Sequence, residues 1–107
     1  MFKLRDKKSR EKSVQTLARE YALSLGILSR RYKIPKRRFG LDELFMKNGK
    51  SFFIEFKKKK KKPTEGQERE MIALDEYNMP NYWTDKFEGP GGAKEIIDKE
   101  NRRMERD

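Results

Sequence analysis

The stretch that decides the fold runs from Leu41 to Lys57 and reads LDELFMKNGKSFFIEFK. At its centre Asn48-Gly49 stands between two strand-like runs, and these two residues tolerate the positive φ angles that a two-residue hairpin turn requires. The segment therefore predicts a strand over Leu41 to Met46, with Leu41–Lys47 pairing antiparallel against Lys50–Lys57. With Asn48 and Gly49 as the turn, Lys47 faces Lys50. Each step back along one strand is a step forward along the other, so Asp42 opposes Glu55. The second strand alternates: Phe52, Ile54 and Phe56 fall on one face, and Phe53, Glu55 and Lys57 on the other. Glu55 and Lys57 thus project from the same side.

Upstream of the hairpin, Val14, Leu17, Ala18, Tyr21, Ala22 and Leu25 recur at helical spacing, which predicts a helix from about Ser9 to Leu25, closed by Gly26. Glu11, one turn before Val14, falls at the rim of its buried face. Ile27 to Ile34 reads as a first strand ended by Pro35, and Lys36-Arg37-Arg38-Phe39-Gly40 as a basic turn. Downstream of the lysine run, Thr64 and Gln67 have the spacing of a capping box, opening a helix whose stripe of Met71, Leu74 and Tyr77 or Asn78 runs to about Tyr77. Asn81 to Thr84 reads as a last strand, Gly89 to Gly92 as a loop, and Ala93 to Met104 as a charged helix anchored by Ile96, Ile97 and Met104. The order of helix, three strands, helix, strand and helix predicts a small mixed-sheet α/β domain. At 107 residues the chain suffices for one domain with one modest core. That domain is expected to span residues 1–107, with its core over about 9–85 and the charged helix over about 93–104.

Only 34% of the residues are hydrophobic and 43% are charged, yet the apolar residues fall in periodic runs, which favours a folded domain with a charged surface. The net charge of +10 is unevenly spread. Residues 1–62 carry 21 basic and 6 acidic side chains, and residues 63–107 carry 7 and 12. Such a field attracts polyanions, above all nucleic acid. The absence of Cys and His excludes disulfides, thiolate sites, imidazole bases and His-ligated zinc. Chemistry here must use carboxylates, Lys, Tyr, Ser or a hard cation. No apolar run has the length of a membrane span and the N-terminal residues lack a signal-peptide core, so a cytoplasmic location without membrane attachment is expected.

Asp42 and Glu55 crowd two negative charges into a small space, an arrangement that opposed hairpin positions normally avoid. A hard cation relieves it, and Mg²⁺ or Mn²⁺ favours such oxygen donors together with substrate phosphate. Lys57, on the same face, is suited to position or help deprotonate a water, or to stabilise charge on a phosphoryl group. The bland alternative is a pair of surface carboxylates neutralised by neighbouring lysines.

Asp42 followed by Glu55-Phe56-Lys57 resembles the D…ExK core of PD-(D/E)XK nucleases. The surrounding chain is similar to the virus-type replication-repair nuclease module, the VRR-NUC family. It has an early helical Glu (Arg10-Glu11-Lys12), a Gly ahead of the Asp (Gly40-Leu41-Asp42), a hydrophobic strand ending in ExK, and Gln67 opening the next helix. The likeness covers roughly residues 9–85. Leu41 stands where the family usually has Pro, and Gly40 is one residue closer to the Asp. The resemblance implies a restriction-endonuclease-like α/β fold and a metal held by Asp42, Glu55 and the backbone carbonyl of Phe56. It further implies Lys57 as catalytic lysine, with Glu11 and Gln67 in support. Read without it, Glu11 is an ordinary acid at a helix start and Gln67 a capping residue, a role compatible with a place in the site.

These readings converge on a divalent-metal-dependent DNA endonuclease that hydrolyses phosphodiester bonds without an organic cofactor. The resemblance implies structured or branched DNA as substrate and a homodimer. Lys36, Arg37, Arg38, Lys58, Lys59 and Lys60 flank the expected centre and are suited to contact phosphates. Tyr82 and Trp83 are candidates for base stacking, although a strand aromatic more often packs in a core. The rival reading is a non-catalytic basic nucleic-acid-binding protein, or an accessory subunit of a replication or recombination complex.

Overall fold

The structure is a computed structural model and describes residues 12–31, 43–59 and 61–106. Helix α1 (Val14–Ser24) begins later than Ser9 because Ser13 caps it. Ser13 is extended, and its hydroxyl accepts a bond from Thr16 N at 3.1 Å, satisfying an amide that the first helical turn leaves open. The helix ends on Gly26, whose φ of +80° lets the chain reverse. Gly26 N then bonds Leu23 O, and Ile27 N bonds Ala22 O, the two contacts of a Schellman motif.

Strand β1 (Leu28–Arg31) follows, one residue later than expected, since Ile27 is used in that helix ending; its expected continuation to Ile34 and Pro35 lies outside the described residues. Strands β2 (Glu43–Lys47) and β3 (Lys50–Phe56) form the hairpin, with positive φ at Asn48 and Gly49. Helix α2 (Glu65–Glu76) leads to strand β4 (Asn81–Thr84) and helix α3 (Ala93–Met104). The four strands lie in the order β1-β2-β3-β4; the first two pairings are antiparallel, and β3 with β4 is parallel.

The hairpin register is the one the turn dictates, from Lys47 opposite Lys50 to Glu43 opposite Ile54. One face of the sheet carries Phe45, Phe52 and Ile54, which pack against Ala18 and Ala22 of α1 and Ala93, Ile96, Ile97 and Met104 of α3. Phe45 and Phe52 face each other across the hairpin as stacked rings 4.9 Å apart, and Tyr82 of β4 meets Phe52 edge-on at 6.4 Å. Each such pair adds about 1 kcal/mol beyond the area it buries. Lys47 and Lys50, on the same face beside the turn, reach the ends of the two helices. Lys47 Nζ donates to Leu25 O at 2.7 Å, Asn101 Oδ1 at 2.9 Å and Glu105 Oε2 at 3.0 Å, and Lys50 Nζ donates to the carbonyls of Arg103 and Arg106. Cations there complement the negative ends of the helix dipoles.

Helix α2 covers part of the opposite face. It begins at Thr64, whose hydroxyl accepts Gln67 N while Gln67 Oε1 accepts Thr64 N, the full capping box. Met71 and Leu74 are half-buried. Tyr77 is 84% exposed and does not extend their stripe, because it forms the helix cap, where the chain leaves the helix for β4. Among the described residues no helix is long and apolar enough to cross a membrane.

Candidate functional site

Glu55 lies near the end of β3, opposite to the core in its alternation, and α2 lies over it. The carboxylate is only 4% exposed, which makes its hydrogen bonds matter: a buried charge is tolerable only where polar groups replace water. Gln67 provides one. Its Nε2 donates to Glu55 Oε2 at 2.6 Å, and its Oε1 accepts from Lys57 Nζ at 3.1 Å and from Thr64 N at 2.9 Å. The amide's orientation follows from chemistry: a carboxylate only accepts, whereas an ammonium and a backbone N–H only donate. Gln67 thus serves the helix cap and the site at once. Its Oε1 is shared between the cap and Lys57, and its Nε2 is given to Glu55.

Lys57 is separated from the lysines that follow. Although β3 formally ends at Phe56, Lys57 N donates to Thr84 O at 2.9 Å, extending the β3–β4 ladder by one residue. This keeps Lys57 on the Glu55 face, half-buried, with its ammonium on Gln67. Lys58, Lys59, Lys61 and Lys62 are exposed. The Phe56 side chain packs toward the core, and its backbone stands between the two site residues at the strand end. The structure therefore brings together Glu55, Lys57 and Gln67, with Phe56 between the first two. Asp42, Glu11, Lys36, Arg37, Arg38 and Lys60 lie outside the described residues.

Two further residues stand close by, and the first of them, Glu43, has no role in the sequence reading. Glu43, the residue after Asp42, is 1% exposed on the core side of the sheet. It is held by Gln15 Nε2 at 2.7 Å and by Arg19 through Nε at 3.0 Å and Nη2 at 3.3 Å. Arg31 Nη2 in turn donates to Gln15 Oε1 at 3.2 Å. This fork ties α1 to the strand that leads into Asp42. The signal for it was the hairpin parity, which sets Glu43 opposite Ile54 on the apolar face. The second residue is Trp83, opposite Glu55 in the β3–β4 register and partly exposed. Tyr82, its neighbour, turns the other way and donates its hydroxyl proton to Glu100. The expectation of packing holds for Tyr82 alone.

No protein-family model matches the sequence, and no curated protein matches it significantly. Among solved structures, a VRR_NUC domain superimposes with a TM-score of 0.64 and 27% sequence identity, over 80% of this chain and 87% of that one. By this likeness, and by its small mixed-sheet α/β architecture, the chain has the nuclease-type fold of a VRR_NUC domain.

Proposed function

We propose that this protein is a divalent-metal-dependent DNA endonuclease that cleaves phosphodiester bonds, with structured or branched DNA as its substrate. The observation that carries the reading is Gln67, whose amide fixes a buried carboxylate and a lysine ammonium side by side at a strand end. A half-buried ammonium held beside an acid is suited to stabilise the negative charge that develops on a phosphoryl group during hydrolysis.

The donor chemistry fits a hard cation. Glu55 and the carbonyl of Phe56 offer oxygen, and the chain has neither His nor Cys. The second acidic ligand in this proposal is Asp42, which the resemblance to the D…ExK core supplies and which lies outside the described residues. When bound, Mg²⁺ or Mn²⁺ supplies charge neutralisation and Lewis-acid polarisation of the phosphodiester. The protein's residues do the rest. Glu55, Asp42 and Phe56 hold the ion, Gln67 orients Glu55, Lys57 faces the phosphate, and Glu11 supports the site. Lys58, Lys59 and Lys60, with Lys36, Arg37 and Arg38, hold the flanking backbone. The protein is further proposed to act as a homodimer. The outer side of the hairpin supports this, because Leu28, Leu44 and Met46 there line a groove that none of the described residues fills.

The test is cleavage of end-labelled duplex, single-stranded and four-way-junction DNA with Mg²⁺, Mn²⁺ or EDTA, beside Glu55→Ala and Lys57→Ala. The expected result is metal-dependent cutting, strongest on the junction, that falls by about 100-fold or more in each variant. Binding of all three DNAs with no cutting under any metal overturns the proposal in favour of a non-catalytic binding protein. Sedimentation equilibrium tests the dimer, and a monomer at all concentrations removes it.

A further inference from the structure

Trp83 is the one tryptophan of the chain, and the core does not use it. It lies on the sheet face opposite Tyr82 and is 38% exposed. Its register partner is Glu55, so their Cα atoms are about 5 Å apart, the spacing of adjacent strands. With Pro63, Glu68, Met71 and Ile72 it lines an open groove of about 430 Å³ between α2 and the β4 strand. That volume lies in the range that accommodates a small organic group.

The surroundings of the groove indicate what fills it. Pro63 directly follows the lysine run, in which Lys58, Lys59, Lys61 and Lys62 are exposed, and Glu68 directly follows Gln67. The groove thus begins where the site ends, with ammonium groups on one side, apolar walls and an indole, and a single carboxylate. A nucleobase on a phosphate backbone has the complementary features: charge for the lysines, a π-face for the indole, and amino or imino donors for Glu68. A base within a duplex has both faces covered by its stacked neighbours and its Watson–Crick edge paired. Only an unpaired base offers all three.

We propose that the Trp83 groove binds an unpaired base of the DNA strand whose backbone passes Glu55 and Lys57. The substrate class is then DNA with an unpaired nucleotide beside the phosphate at the site, as in a bulge, a flap or an open junction. Which phosphate is cut rests on the nuclease reading; the base contact does not, and it is measured separately.

The experiment uses the full chain in EDTA, so that no DNA is cut. Trp83 is the sole tryptophan emitter, and its fluorescence is followed while three DNAs are added: a perfect duplex, the same duplex with a three-nucleotide bulge, and that bulge with abasic sites. Quenching is expected with the bulge and little with the other two. Stacking on an aromatic contributes about 1–3 kcal/mol per base, so Trp83→Ala should weaken bulge binding by about 5- to 150-fold while duplex binding changes less than about twofold. Trp83→Phe should retain most of the preference.

Unchanged emission on adding bulged DNA overturns the proposal, and the wild-type titration gives that answer even if Trp83→Ala does not fold. Equal loss of affinity for all three DNAs also overturns it, as does an emission change that tracks protein concentration without DNA, which would mean that a second copy covers the groove. If Trp83→Ala leaves bulge binding intact while cutting persists with metal, the inference fails and the nuclease reading stands. If the bulge quenches Trp83 but no metal supports cutting, the nuclease reading fails and the base site stands.

Discussion

Replacing Gln67 by Glu isolates the bond that organises the site. The substitution keeps an oxygen for Thr64 N and Lys57 Nζ, and Glu is as good a capping-box partner as Gln, so the start of α2 is preserved. What changes is the other end. The Nε2 donor, 2.6 Å from Glu55 Oε2, becomes a carboxylate oxygen facing a carboxylate oxygen where both residues are buried. A hydrogen bond to a charged group is worth about 1.5–3 kcal/mol, and like-charge repulsion adds to the loss. The total is about 2–4 kcal/mol. In urea unfolding at neutral pH without divalent metal, with a slope of about 1.5 kcal/mol per molar, the midpoint should fall by about 1–3 M. Thr64→Ala, which removes only the hydroxyl cap, should cost about 1 kcal/mol. The Gln67→Glu deficit should narrow in mild acid, where one proton shared between the two carboxyls removes the repulsion. It should also narrow with Mg²⁺ if a cation binds there. A variant as stable as wild type at neutral pH without metal, or a deficit that acid leaves unchanged, refutes the account of Gln67 as the bridge that makes a buried Glu55 tolerable.

Three further outcomes follow from the structure. Arg19→Met leaves the buried Glu43 with Gln15 as its remaining partner among the bonds described, and urea unfolding should show a loss of about 3 kcal/mol that Arg19→Met with Glu43→Leu largely restores. Burial, and then the bond to Glu100, raises the Tyr82 hydroxyl above its ordinary value of 10.0, so its contribution is complete below about pH 10 and is lost as pH climbs through the raised value. The stability difference between wild type and Tyr82→Phe should therefore be constant up to that pH and shrink above it, as urea midpoints across the range will show. The exposed Lys58 and Lys59 should contribute phosphate contacts: substituting both by Ala should reduce the slope of log affinity against log salt for duplex DNA by about 1.8, measured by fluorescence anisotropy.

The hairpin was legible because its turn and its alternation agree. Asn48-Gly49 sets the register, and the register sets which side chains share a face. Gln67 was legible as a cap because Thr64 stands three residues before it; that the same amide also joins Glu55 to Lys57 emerges only when α2 is placed over β3. Glu43 was overlooked because two adjacent acids invite attention to the pair rather than to parity, and parity puts Glu43 with the core. Its stability depends on Arg19, 24 residues away, which no local pattern reveals. The start of α1 was placed too early because Ser13 resembles any polar residue until its hydroxyl is seen on Thr16 N. Tyr82 and Trp83 were read together as aromatics, whereas a strand sends neighbours to opposite faces: one joins the core, and the other lies beside Glu55.

The lysines that bracket the hairpin turn give the molecule a closed end. Lys47 and Lys50 are spent on helix carbonyls and on Asn101 and Glu105. Their charge is answered within the fold and is poorly placed to attract a phosphate, so under the proposed function β3 offers DNA its free positive charge at the other end, from Lys58 onward. The same contacts bind the turn to the last residues of α1 and α3. Opening the hairpin from the turn would release two helix ends together, whereas opening it from the site end would not. Amide exchange should therefore be slowest around Met46 and Ser51, and fluctuations of the sheet should concentrate at the end that carries Glu55 and Lys57.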